Sequence, residues 1–136
     1  MFNRETEYAL RSLVYIKHQN NKGRRPGSVE ISREIGAPHF YIAKILQRLV
    51  REGFIESIKG KGGGFYFNPD EPDLTLKDLI IFIEGDRSFS GCGFGLKECD
   101  ENNPCPFHDK YAPIRESLDR LLSEQTVQSL ANNVKS

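Results

Sequence analysis

Cys92, Cys99 and Cys105 are the only cysteines of the chain, and His108 closes the same segment, Gly91-Cys-Gly-Phe-Gly-Leu-Lys-Glu-Cys-Asp-Glu-Asn-Asn-Pro-Cys-Pro-Phe-His108. Thiolate and imidazole donors suit zinc or an iron–sulfur centre. The segment is rich in Gly, Asn, Asp and Pro and lacks the periodic apolar residues of a helix or strand. It therefore needs something other than a core to offset the entropy lost on ordering, and sulfurs closing on a metal centre would do so. The spacing Cys-x6-Cys-x5-Cys-x2-His is wider than the tight two-cysteine knuckles of structural zinc. Wide gaps let three sulfurs reach around an object larger than one ion. Cys105-Pro106 resembles the Cys-Pro that ends some ferredoxin cluster motifs, although the spacing there differs. Gly91, Gly93 and Gly95 would free backbone N–H groups to bond sulfur, and Phe94 and Phe107 could shield the centre from water. Spacing alone leaves a cluster and a zinc site with His108 as fourth ligand both standing, beside an unligated thiol switch. A Cys105–His108 nucleophile–base pair is the weakest reading, because no third residue is placed to orient the imidazole and nothing suggests a pocket for an organic substrate.

The elements that position this segment follow from apolar periodicity and capping chemistry. A first helix is expected over about Glu5–Gln19, with Ala9, Leu10, Leu13, Val14 and Ile16 on one band. Asn20–Gly27 reads as a loop. Ser28 is expected to cap a short helix through Ile35, closed by a left-handed Gly36. Pro38 opens a third helix that runs to about Glu52, with Ile42, Ile45, Leu46 and Leu49 on its inner face and Gly53 at its end. Two helices joined by a tight Gly turn make a helix-turn-helix. A strand over Phe54–Lys59, the tip Gly60-Lys-Gly-Gly-Gly64 and a returning strand Phe65–Phe67 then make a wing. Thr75, with Asp78 three positions on, caps a helix to about Glu84 that buries Leu76, Leu79, Ile80 and Ile83. Beyond the cysteine loop, Tyr111, Ile114, Leu118, Leu121 and Leu122 form the seam of a helix over about Lys110–Glu124. Thr126 caps a last turn through Ala131. The fold class is mainly α with a small β-hairpin wing. The organisation is a winged helix-turn-helix DNA-binding domain at 1–85, a cysteine-rich cluster-binding loop at 86–109, and a dimerisation helix and tail at 110–136.

The 136 residues fit one domain with an appended arm. No apolar run suits a signal peptide or a membrane span, so no membrane partner and a cytoplasmic location are expected. Reduced thiols and an odd cysteine number argue against a closed disulfide set. The formal net charge of zero hides a split: residues 1–67 hold 12 Lys and Arg against 6 Asp and Glu, and residues 68–136 hold 7 against 13. A basic head beside an acidic body, with a helix-turn-helix and a Gly-rich basic wing in the head, points to double-stranded DNA. The second helix of the motif would enter the major groove. There Ser28, His39, Phe40, Tyr41, Ala43, Lys44, Gln47 and Arg48 are the candidate contacts. Lys44 could pair with guanine, Ala43 or Phe40 could touch a thymine methyl and Gln47 could read adenine. Arg48 and Arg51 suit phosphates or intramolecular ion pairs. Lys59, Lys61, Gly62 and Gly63 would bring the wing tip to the minor groove.

With these residues in view, the chain resembles the IscR-like and NsrR-like winged-helix regulators of bacteria, which carry iron–sulfur clusters. The likeness spans nearly the whole chain. It rests on Glu7-Tyr-Ala-Leu-Arg-Ser-Leu13, Ile31-Ser, Tyr41-Ile, Leu46-Gln-Arg-Leu49, Gly53-Phe-Ile55, the wing Lys59-Gly-Lys-Gly-Gly-Gly-Phe-Tyr66, and the triple-cysteine loop ending in Cys105-Pro-Phe-His108. The resemblance implies a homodimeric transcription factor on a palindromic operator, with the long C-terminal helix crossing its partner's equivalent. It implies no enzyme activity. It assigns Cys92, Cys99 and Cys105 as cluster ligands, and offers two fourth ligands: His108, or a Glu7 carboxylate from the partner chain. The first cysteine gap is one residue longer than in the IscR pattern. A histidine ligand favours [2Fe–2S], which is the expectation; a cross-dimer carboxylate is compatible with [4Fe–4S].

Overall fold

Helix α1 begins where Asn3 turns its side chain back to accept a hydrogen bond from Thr6 N at 2.8 Å, and it runs over Arg4–Asn21 in the computed structural model. The structure describes residues 2–86, 89, 102 and 104–135. The other described elements are α2 (Ser28–Ile35), α3 (His39–Glu52), β1 (Glu56–Ile58), β2 (Gly64–Tyr66), α4 (Leu76–Glu84), α5 (His108–Glu124) and α6 (Val127–Asn132). Gly36 and Gly53 both adopt the left-handed conformation, at φ 76° and 89°. Ala37 N then bonds Ser32 O and Phe54 N bonds Leu49 O, the six-to-one closure that satisfies a helix's last carbonyls.

The chain divides into two units, Met1–Leu74 with Thr126–Ser136, and Thr75–Gln125. Helix α4 lies in one unit with α5, and the C-terminal helix α6 lies in the unit that holds α1–α3 and the hairpin.

In the first unit α1 is the central element, packed by α2, α3, β2 and α6. Its core is Ala9, Leu13 and Ile16 from α1, Ile31 from α2, Ile42, Leu46 and Leu49 from α3, with Ile55 and Val127, each about fully buried. Each of the leucine, isoleucine and valine side chains contributes roughly 1.5–3 kcal/mol by leaving water. Thr126 and Ser129 form a reciprocal capping box on α6, and Val127 N donates to Leu74 O at 2.9 Å. β1 and β2 pair antiparallel, with Glu56 opposite Tyr66, Ser57 opposite Phe65 and Ile58 opposite Gly64. β1 is shorter than expected, because Phe54 and Ile55 are used to close α3 and fill the core, whereas β2 keeps the expected three residues and starts one earlier, at Gly64.

A polar cluster ties α2 to α1 and to the loop between them. Tyr15 donates to Glu30 at 2.5 Å, and Arg24 holds both Glu30 oxygens at 2.8 and 3.0 Å. The Arg24 guanidinium holds the Glu30 carboxyl below its ordinary range, while burial and the bond to Glu30 push the Tyr15 hydroxyl up. A carboxylate depressed on folding contributes stability that is present above its unfolded pKa and lost as pH falls through the folded value. Glu30→Gln should therefore lower the melting temperature by about a few degrees at pH 7. That deficit should disappear on acidification below the carboxylate range; an undiminished deficit at pH 3 would contradict the charge argument.

In the second unit α4 packs on α5. Thr75 Oγ1 accepts from Asp78 N at 3.1 Å, and Leu76 N donates to Gln125 O. Lys77 pairs with Asp119 at 2.7 Å and holds that carboxyl low. Leu122 is the one fully buried residue of α5 among those described, whereas Ile114 is 65% and Leu121 53% exposed. No helix among the described residues is long and apolar enough to cross a membrane.

Candidate functional site

The outer face of α3 follows from its inner one. Ile42, Ile45, Leu46 and Leu49 bury one stripe, so helical spacing turns His39, Phe40, Lys44, Gln47 and Arg51 outward, and all five are exposed. Phe40 is 71% exposed, and Lys44 Nζ sits 4.6 Å above its ring. Ala43 is half-buried between these outward residues and the core. Tyr41 stands edge-on to Tyr8 at 5.5 Å, which fixes the start of α3 against α1.

Two candidate DNA contacts are engaged within the chain, and one of them, Ser28, departs from the sequence expectation. Ser28 is not the N-cap of α2: Gly27 holds that position, Ser28 is the first helical residue, and no side chain caps the helix. Ser28 Oγ instead lies 2.9 Å from His39 Nε2, linking the starts of α2 and α3 on the exposed face. Arg48 is half-buried and ion-paired with Glu5 of α1, the intramolecular use allowed for it.

The wing stands beside α3. Lys59, Lys61 and Gly62 are exposed and Gly63 is half-buried. Gly60 and Gly62 have φ 94° and 80°. A Cβ at Gly63 would strike Ile58 O, so glycine is required for the hairpin to close. Between α3 and the wing lies an open groove of about 630 Å³, walled by Gln47, Arg51, Ser57, Lys59 and Phe65 over Ile58. Arg25, which by sequence falls in a plain loop, lies over the Tyr66 ring at 4.8 Å on the wing. Two adjacent arginines before Pro26-Gly27 were the available signal.

A convex cationic helix face, a Gly-rich hairpin and a groove between them form a surface of the kind that straddles a duplex backbone. A model of the Rrf2 family, described as iron-dependent transcriptional regulators, matches residues 2–133. The chain belongs to the Rrf2 family. Its Rrf2 fold is a mainly helical winged helix, and its role is that of a DNA-binding transcriptional regulator, not an enzyme. Among its relatives is protein aau3 of Rhizobium meliloti, 32% identical over 120 residues, covering 85% of this chain and 73% of that protein. The HTH-type transcriptional regulator IscR of Photorhabdus laumondii is 22% identical over 126 residues, covering 93% and 76%. In three dimensions the chain is similar to CymR, the global cysteine regulator of B. subtilis, with TM-score 0.78 and 20% identity over 99% of this chain and 98% of that one.

Of the four ligand candidates in the cysteine segment, Cys92 and Cys99 lie outside the described residues. Cys105 is half-buried, and its carbonyl accepts from His108 N at 3.1 Å. One turn thus carries thiol and imidazole at the head of α5, where the N-cap Phe107 supplies no side-chain cap. This donor pair fits a soft or borderline metal centre. Among the described residues no group of three or more His, Cys, Asp or Glu side chains is gathered to hold a metal. Glu7 is exposed in the first turns of α1, beside a recess of about 350 Å³ lined with Phe2, Leu10 and Arg11.

Proposed function

We propose that this Rrf2 regulator acts as a homodimer on a palindromic operator, and that an iron–sulfur cluster held by Cys92, Cys99, Cys105 and His108 sets its affinity for DNA. The observation that carries the reading is the single turn bearing Cys105 and His108 at the start of α5, with the two other cysteines 6 and 13 residues upstream of Cys105. A bound cluster supplies a centre that responds to oxidants, iron supply and nitric oxide. The chain's own part is to tie that centre to α5. Ligation through Cys105 and His108 fixes the first turn of a helix whose Ile114 and Leu121 stand exposed, the face suited to a second copy. The histidine favours [2Fe–2S]; Glu7 from a partner is the alternative fourth ligand and would suit [4Fe–4S]. The same soft donors also suit a second reading, in which bare thiols or zinc do the sensing. Oxygen-free isolation separates the two. Brown protein with iron and labile sulfide supports the cluster, and colourless protein that cannot be reconstituted rejects it.

On DNA, His39, Phe40, Ala43 and Lys44 meet base edges in the major groove, with Ser28, Tyr41 and Gln47 alongside. Lys59, Lys61, Gly62 and Gly63 carry the wing to the minor groove. Lys44→Ala should change the sequences selected from a randomised duplex pool. Lys61→Ala should instead weaken all duplexes and flatten the log–log salt dependence by about one unit. If neither variant alters binding, this surface is not the interface.

A further inference from the structure

The loop before α2 is fastened to the wing. Asn20 donates to Arg24 O at 2.9 Å and Phe65 O at 3.2 Å, and it accepts from Phe67 N at 2.9 Å. Phe65 N donates to Pro26 O at 2.9 Å. Gly64 packs so closely that a Cβ there would strike Arg25 O. The main chain of Arg24–Pro26 therefore lies along β2, and whatever it carries moves with the wing.

Its two arginines are used differently. Arg24 is engaged by Glu30 and Gln19. Arg25 is exposed, makes no ion pair among the described residues, and lies 4.8 Å over the Tyr66 ring. Tyr66 in turn reaches Glu56 through its hydroxyl at 3.4 Å. Stacking on an aromatic face restricts a guanidinium while leaving its planar fork of donors open, the geometry that grips phosphate bidentately. Beside it is a recess of about 370 Å³ lined by Asn20, Arg24, Arg25, Gly62, Tyr66 and Pro69, with no acidic side chain in its wall. This recess shares no lining residue with the groove facing α3, so the hairpin separates the two.

We propose that the Arg25 recess is a phosphate seat for DNA, holding the second of the two strands that border the minor groove entered by the wing. A minor groove is bounded by two sugar-phosphate strands. A hairpin tip inserted between them presents one side to each. The α3 side offers Gln47, Arg51 and Lys59 to one strand, and the far side offers Arg25 to the other. Tyr66 acts as a positioning residue for Arg25. The inference rests on the placement of the wing proposed above.

The test is fluorescence anisotropy of the full-length chain with a duplex selected by the wild type from a randomised pool, across a salt series. Arg25→Ala should weaken binding on the order of tenfold and reduce the log–log salt slope by about 0.9 for each phosphate that is no longer neutralised. Arg25→Lys should keep most of the slope, since the charge remains. Tyr66→Leu should weaken binding in the wild-type background and add nothing in the Arg25→Ala background. Thermal melts verify that each variant is folded. If Lys61→Ala loses slope while Arg25→Ala keeps it, the recess is not a phosphate seat and the wing placement stands. If both keep the wild-type slope, the wing placement falls as well.

Discussion

Gly64→Ala is expected to be more damaging than alanine at the other left-handed glycines, and to remove most of the DNA affinity proposed for the wing. Gly23 and Gly36 have φ 79° and 76°, and a Cβ at either would meet nothing within 4 Å. Alanine there incurs only the left-handed conformation, roughly 1–2 kcal/mol. Gly64 has φ 149°, a region used essentially by glycine alone, at about 1–3 kcal/mol. Its Cβ would also strike Arg25 O and come within 2.8 Å of Pro26 O. Neither is the end of a flexible side chain. Relief requires the loop to leave β2, which breaks the Phe65 N to Pro26 O bond, worth ~0.5–1.5 kcal/mol. The expected drop in melting temperature is roughly 10 °C for Gly64→Ala, against about half that for Gly23→Ala. Equal melting temperatures for the two would show that the packing of loop on wing does not constrain the hairpin.

The readable part of this fold is the part decided locally. Gly36 and Gly53 announce helix ends because only a residue without Cβ enters the left-handed region freely, and both do so here. The stripe Ile42, Ile45, Leu46 and Leu49 is legible because a helix repeats its inward positions every three or four residues, and all four are buried. Thr75 and Thr126 cap as their type suggests. Ser28 misleads for a long-range reason. The chain before it is tethered to β2 through Pro26, which leaves the cap to Gly27 and brings the Ser28 hydroxyl to His39.

The candidate site divides in the same way. The cationic face of α3 and the Gly-rich wing are visible as composition. The Glu5–Arg48 pair spans 43 residues and the Asn20–Phe67 bond 47, and no local pattern encodes either. Arg24 and Arg25 are adjacent and chemically alike. Only the fold shows that one is taken up by Glu30 while the other rests on Tyr66. The return of α6 to α1 is equally nonlocal, because the apolar residues of a six-residue helix do not name their partner.

Removing the proposed metal centre or replacing Cys99 with alanine should change operator affinity by about 5–150-fold, the usual span of coupling between two sites on one protein. The reason lies in symmetry. A dimer reading a palindrome must hold its two recognition helices at a fixed half-site spacing, so a small change in how the protomers are joined is multiplied at both half-sites. Cys105 and His108 share a turn with the first residues of α5, the helix proposed to join the protomers, so occupancy at those ligands bears directly on that joint. The measurement compares the anaerobic metal-loaded form, the metal-free form and Cys99→Ala on one selected duplex. Identical affinities and identical sequence preferences in all three would separate the cysteine segment from DNA binding. The fourth ligand is read from the same preparations. His108→Ala should shift the visible absorption of the loaded protein while Glu7→Ala leaves it in place. The reverse pattern would transfer the role to the partner's carboxylate and with it the preference from [2Fe–2S] to [4Fe–4S]. The imidazole is favoured on entropic grounds. Cys105 and His108 are three residues apart and already joined through their backbone, so closing that loop removes far less conformational freedom than recruiting a side chain from a second chain.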